Sequence, residues 1–351
     1  MIWLTWRQHR REALFTLAGL AVLGTLMAVT GLAMRRTFDD YGLPACVKRV
    51  RDTSGVPDLG DTCNQAFNRF YDQYDILNLA GVLFLVLPLI VGLFWGAPLI
   101  AREVEQGTHR LVWTQGISRR RWALVKVGLI APAVLLAAVG YGLGVSWLMS
   151  PLNQGWEQSR FDAFFFDMQG VAPVGYTLFA VALGIFAGTV WPRMLPAMAV
   201  TLVGFIGVRV AVGVLGRRRY LPAEELTFPI QGGTGMADPF DGDWVLANGV
   251  RDASGKMVAP NVQVNCPEGV TAPDGRECGA DLGVGPDAYN WQLYQPADRY
   301  WLFQAIETGI FVALAALLIV LAVRRIRRRV CRDQHRPLLP DIGNSDPLPI
   351  G

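Results

Sequence analysis

Six stretches of this chain are apolar for long enough, and on every side, to cross a lipid bilayer. A spanning helix needs roughly 20 apolar residues to cover the ~30 Å of hydrocarbon. A surface helix of a soluble protein would show a polar stripe instead. The runs at 14–34, 76–100, 127–148, 171–191, 195–215 and 303–323 meet the length and lack the stripe. Composition agrees: 52% of the residues are hydrophobic and 17% charged, where a soluble domain carries about 25% charged. The expected fold class is therefore an all-α polytopic membrane protein of about six transmembrane helices. The first run follows Arg7, Arg10 and Arg11 much as a secretory signal would. It is too long for a signal core, however, and ends in Met34-Arg35-Arg36 without a small-x-small cleavage site, so it reads as an uncleaved span. Only Pro192, Arg193 and Met194 separate the fourth and fifth runs, which predicts a tight helical hairpin.

Basic residues near the span ends set the expected orientation. Arg7, Arg10 and Arg11 precede the first span. Arg102, Arg110, Arg119, Arg120, Arg121 and Lys126 lie between the second and third, and Arg324, Arg325 and Arg327 to Arg329 follow the sixth. With six spans these clusters share one side, the cytoplasm, with both termini there. Arg35, Arg36 and Arg217 to Arg219 fall outside and oppose the rule, next to long loops where it is weaker. The cysteines fit the same topology. Cys46 and Cys63 fall in the outer loop 35–75, Cys266 and Cys278 in the outer region 216–302, and Cys331 in the basic, Pro-rich tail 324–351. Oxidising conditions outside favour bridges Cys46–Cys63 and Cys266–Cys278, with four free thiols as the alternative. The region 216–302 is rich in Gly, Pro and Asp, with a turn expected at Ala253–Lys256 and an alternating segment Val262-Gln263-Val264. It reads as a small, disulfide-stapled extracellular domain with possible β structure.

What is missing narrows the chemistry. There is no G-x-x-x-x-G-K-[ST] loop to cradle nucleotide phosphates. The three histidines, His9, His109 and His335, are too scattered for a metal site, and no G-x-S-x-G elbow is present. No catalytic or metal-binding group is assigned. A net charge of +3 lends no support to nucleic-acid binding.

The informative polar stretch is 101–126, AREVEQGTHRLVWTQGISRRRWALVK. Gly107 and Thr108 break the chain after the second span, Thr108 able to cap a short helix at 109–115 that carries Leu111 and Trp113. Ser118 can cap the next helix, anchored by Arg119 to Trp122 at headgroup level. On these grounds alone a plain membrane-surface loop is as good a reading as a docking element. The segment resembles, however, the cytoplasmic signature of ABC-2 type transporter permeases, E-x-E-x-G-T followed by a Leu-rich turn, S-R and a Lys. Glu103, Glu105, Gly107, Thr108, Leu111, Ser118, Arg119 and Lys126 stand in matching order. MIWLTWRQHR, WTQGISRRRW and YQPADRYWLFQAIETGIF further resemble an actinobacterial permease subfamily, so the likeness covers essentially the whole chain.

That resemblance implies a set of roles. Residues 1–13 would be an elbow helix on the inner membrane face, Trp3 and Trp6 at the interface and Arg7 and Arg10 on anionic headgroups. Glu103 to Gln115, with Trp113 among them, would couple the spans to a separate cytoplasmic ATPase that binds the ATP and Mg. This chain would hold no cofactor, pair with itself or a similar permease, and lie in the plasma membrane as a multi-pass exporter subunit for a lipophilic or amphipathic small molecule. Two ionisable residues sit inside predicted spans, Arg209 and Glu307, at similar depth near the outer side. Intramembrane charges tend to be paired or functional, so an Arg209–Glu307 pair is one expectation, and snorkelling of each to the outer surface another. Non-ABC readings are a secondary transporter, which would show more mid-membrane charge, or a ligand sensor built on the outer domain, which would want a larger cytoplasmic domain.

Overall fold

The computed structural model describes residues 2–52, 60–106, 119–154, 159–191, 193–230, 242–266, 285 and 287–333; the side chains of 2–13, 15–17, 50–52, 60–61, 78, 103–104, 119–123, 154 and 327–333 lie outside that description. Among the described residues, six helical stretches are long and apolar enough to cross a membrane: Ala18–Asp40, Leu79–Arg102, Leu124–Met149, Ala172–Val190, Met194–Arg219 and Ala297–Ile326. They are carried by helices α1 (Ile2–Asp40), α4 (Ile76–Val91) with α5 (Ala97–Glu105), α6 (Arg119–Met149), α8 (Ala172–Val190), α9 (Met194–Ala211) and α10 (Tyr300–Asp333). Helix α1 is unbroken from Ile2 to Asp40, so the expected elbow at 1–13 and the first span form one continuous helix.

The region 35–75, expected as a loop, is mostly helical. Helix α1 runs on to Asp40, and two amphipathic helices follow, α2 (Leu43–Asp52) and α3 (Gly60–Tyr74). They bury Leu43, Val47, Phe67 and Phe70 against Phe38 of α1. Cys46 and Cys63 join them by a disulfide with the Cα atoms 5.8 Å apart. The polar composition of this region reflects the outward faces of the two helices, which a composition count does not separate from a loop.

Cross-links between spans show which ends lie together. The Arg35 guanidinium donates to the Trp147 carbonyl and to Ser150 Oγ, tying the end of the first span to that of the third. Ser159, in the connection between the third and fourth, donates to the Gly242 carbonyl at 3.0 Å. Gly242 adjoins a four-stranded antiparallel sheet inserted between the fifth and sixth spans, β1 (Glu224–Pro229), β2 (Trp244–Arg251), β3 (Met257–Pro260) and β4 (Tyr289–Gln295), in the order β1-β4-β2-β3. We call this the sheet end. Trp244 seats the sheet on the bundle by stacking on Phe161, centroids 5.6 Å apart. The β2–β3 turn falls where expected: Asp252 Oδ1 accepts from the Ser254 hydroxyl and from the Ser254 and Lys256 amides, and Gly255 takes φ +83°. Val262–Val264, in contrast, is not a strand. The backbone N–H and C=O of Val264 bond to the Asn290 side chain instead of to a ladder.

The fourth span is the axis of the bundle. Its apolar window is 72% buried, against 11% for the fifth. Small residues allow this. A Cβ at Gly184 would meet the Ala97 nitrogen at 2.6 Å and the Gly92 carbonyl at 2.7 Å, and one at Gly96 the Val181 carbonyl at 2.6 Å. Gly92/Gly96 and Gly184/Gly188 are thus two G-x-x-x-G pairs that bring the second and fourth spans into backbone contact, as small residues do between membrane helices. Two π-helical turns interrupt the α ladder, Gly92–Gly96 in the second span and Val212–Gly216 in the fifth. Pro88 has no N–H to give Phe84, four residues back; Tyr141 of the third span donates to that carbonyl at 2.6 Å.

Candidate functional site

At the sheet end, charged and phenolic side chains converge between the fourth, fifth and sixth spans. Asp167 comes from the short helix α7 (Ala163–Met168), Tyr176 from the first turns of α8, and Glu307 from α10. Arg209 lies in α9 and Arg217 just past the π turn that follows it. Arg217 grips Glu307 with two bonds, Nε to Oε2 at 2.9 Å and Nη2 to Oε1 at 2.8 Å, and also bonds Asp167 Oδ1. Arg209 Nη2 approaches Asp167 Oδ2 at 3.1 Å as a charge contact not aligned for a hydrogen bond, and its Nη1 donates to the Leu85 carbonyl at 2.9 Å. The Tyr176 hydroxyl lies 2.5 Å from Glu307 Oε1 and 3.0 Å from Asp167 Oδ1, with one proton to donate. Tyr220 donates to Glu307 Oε2 at 3.2 Å.

The expected Arg209–Glu307 pair does not form. Among the described residues each finds a different partner, Asp167 for Arg209 and Arg217 for Glu307. The depth argument placed both groups at the same end of the bundle, and the pairing failed because two further charges, Asp167 and Arg217, fell in what read as flanking connections. Two cations and two anions leave the cluster neutral. Burying unpaired charge in hydrocarbon is expensive, whereas a paired and hydrogen-bonded set is tolerated. The cations also rest on rings, Arg217 4.0 Å over Phe166 and Arg209 4.6 Å over Tyr176. Glu307 and Arg217 are almost wholly shielded, their side chains 1% and 4% exposed. Just beyond the fifth span, the Tyr220 phenol is held well above its usual range, first by burial and then by the Glu307 carboxylate.

Gln304, one turn before Glu307, completes the knot. Its Oε1 accepts from the Val171 and Ala172 amides and caps α8, while Nε2 donates to the Phe166 carbonyl and Tyr300 hydroxyl. The first turn of a helix leaves amides without partners, and here the sixth span supplies their acceptor to the fourth.

The opposite end carries the segment singled out in the sequence. Glu105, the last residue of α5, accepts a hydrogen bond from the Met194 amide at 3.0 Å. Met194 opens the fifth span, so this carboxylate satisfies a first-turn amide and lies at the positive end of a helix dipole. The family model for ABC-2 membrane transporter related proteins matches residues 17–217. The chain belongs to this family. It is a multi-pass membrane protein, a permease subunit of a membrane-transporter family. The match ends at Arg217, so within this family member the sheet and the sixth span, with Glu307, lie beyond the matched region. No curated protein and no solved structure matches the chain.

Of the coupling residues expected for an ABC-2 permease, Glu105 is placed by its bond to Met194. Gly107, Thr108, Leu111, Trp113 and Ser118 lie outside the described residues, as do the side chains of Glu103, Arg119, Trp3, Trp6, Arg7 and Arg10. Cys266 is disulfide-bonded; Cys278 lies outside the described residues. Sequence reasoning missed Asp167, Tyr176, Arg217 and Tyr220 as members of one site. Arg217 alone carried a signal, as an arginine on the wrong side of the positive-inside pattern.

Proposed function

We propose that the chain is the membrane-spanning subunit of an ATP-driven exporter, with both termini and the 101–126 segment in the cytoplasm and the sheet end outside, in the plasma membrane. The observation that carries this reading is the bond from Glu105 to the Met194 amide. It links the segment that resembles an ATPase-docking element directly to the start of the fifth span. That span is loosely buried and ends in the charge cluster, so a push on the cytoplasmic segment has a continuous helix through which to reach the far side. A partner ATPase, holding ATP and Mg, supplies the push, and a second permease, identical or similar, completes the assembly. A bundle with its charges paired at one end suits a lipophilic or amphipathic cargo better than an ion.

The test is co-expression with an ABC ATPase encoded beside this chain, followed by co-purification in detergent and an ATPase assay. The two proteins should co-purify. Glu105→Ala should leave the spans folded and lower ATP-driven cargo uptake into inverted vesicles about fivefold, the effect of losing roughly 1 kcal/mol at a helix N-terminus. Failure to associate with any such ATPase would overturn the reading and turn attention to the sheet end as a ligand sensor.

A further inference from the structure

The π turn Val212–Gly216 does something specific for the cluster. Arg209 and Arg217 are eight residues apart (217 − 209). In an unbroken α-helix, at about 100° per residue, that spacing is about 800°, which puts the two side chains about 80° out of phase. A π turn accommodates one extra residue in the ladder and so removes about 100° of phase, leaving the two within about 20°. The Arg217 amide indeed bonds five residues back, to the Val212 carbonyl. Only in this register do both arginines reach the same carboxylate, Arg209 at Asp167 Oδ2 and Arg217 at Oδ1. The same rotation brings Arg217 onto Glu307 and so onto the sixth span. Nothing packs close to Gly213, whose Cβ position is open, and Val214 and Leu215 face outward, so the middle of the turn can repack without displacing a neighbour, while Val212 at its start stays packed on the buried cluster.

We propose that this π turn is the moving part of the sheet-end gate. In the π register the end of the fifth span is locked to α7 and to the sixth span through Asp167, Arg217 and Glu307. Annealing of the turn to continuous α-helix swings Arg217 off both carboxylates, releases the sixth span and opens the sheet end. Helices with two discrete registers are a known element of switching transitions. The purpose of the motion rests on the exporter reading; the motion itself does not, and its test needs no ATPase.

Deleting Val214 removes the extra residue. Arg209 and Arg217 are then seven apart in plain α-helix and still in phase, so the lock forms but has no second register. The probe is Thr308→Cys, whose parent hydroxyl is buried beside Glu307, in a Cys331→Ser background in lipid nanodiscs. It is labelled with a charged, membrane-impermeant methanethiosulfonate and read by mass at residue 308. Asp167→Asn should speed labelling about tenfold or more, the effect of losing one charge-assisted hydrogen bond. In the Val214 deletion labelling should fall below the parent rate, and Asp167→Asn should no longer speed it. Equal acceleration with and without Val214 would overturn the proposal, since the lock would then open without a register change. Should the deletion fail to fold, spin labels at Val203→Cys and Arg219→Cys bracket the turn in the full-length chain. Two distance populations, with Asp167→Asn shifting weight between them, support the switch, and one unchanged population overturns it. Loss of ATPase association with labelling as expected would sink only the exporter reading.

Discussion

The two ends of the bundle are held by different physics. At the sheet end, cohesion comes from directional groups: two arginines, two carboxylates, two phenols and a glutamine that caps a neighbouring helix. Toward the opposite end, the second and fourth spans meet through Gly92, Gly96, Gly184 and Gly188 with backbone atoms nearly touching. Close packing of that kind is short-ranged and non-directional, and it falls away gradually as helices slide or tilt. A charge network is different. It has one geometry in which every member is paired, and a step away from it costs a whole interaction. A transporter that must switch between two discrete states is served by placing the first kind of contact where helices pivot and the second where they part.

The comparison is broken most severely at Glu307. Glu307→Ala leaves Arg217 buried with half its partners gone, and should destabilise the chain by about 3–5 kcal/mol. A thermal-unfolding scan in detergent would read this as a large drop in Tm. Recovery of most of that loss in an Arg217→Met, Glu307→Met double variant would confirm that unpaired charge, rather than lost packing, is responsible. The glycine contacts give a smaller effect. Gly184→Ala places a methyl against the Ala97 nitrogen and Gly92 carbonyl, and overpacking of this sort costs about 1–3 kcal/mol. Because it acts at the pivot, it should lower Tm without changing the labelling rate at residue 308; a change in that rate would erase the distinction between the ends. Tyr141→Phe sharpens the comparison at mid-bundle. It strips the donor from the Phe84 carbonyl freed by Pro88 and should cost about 0.6 kcal/mol, the average for hydrogen bonds between membrane helices. A neutral result in the same scan would mean the carbonyl finds another donor.

The spans were legible because their signal is length and apolarity; four of the six lie within four residues of the expected runs, and the sixth begins six residues early, at Ala297. The first sits further along, at Ala18–Asp40, since Arg35, Arg36 and Asp39 stay helical despite their charge. The short separation of the fourth and fifth spans, the turn after Asp252 and the presence of β structure between the fifth and sixth spans could also be read. The charge cluster could be read only in part. Arg209 and Glu307 announced themselves as charges within hydrocarbon, but Asp167 looked like one acid among several in a connection and Arg217 like a surface arginine. The π turn carries no compositional mark at all. It is a phase shift of one residue, visible only once the hydrogen-bond ladder is known, and it decides which way Arg217 points. The alternating segment Val262–Val264 forms no strand for a related reason: the Val264 backbone is answered by the Asn290 side chain instead of by a neighbouring strand.

Chain order sets the sequence in which the cluster's charges are made. Asp167, Arg209 and Arg217 are made first, and between them they carry one negative and two positive charges; Glu307, which balances the account, arrives only with the sixth span. A nascent bundle of five spans therefore holds an unmatched cation at its sheet end and an uncapped fourth helix, since Gln304 comes with Glu307. Both defects are cured in one event, when the last helix inserts with the folded sheet already made ahead of it. A chain interrupted before that point is left with an unmatched arginine at the sheet end and first-turn amides of the fourth helix without their Gln304 acceptor.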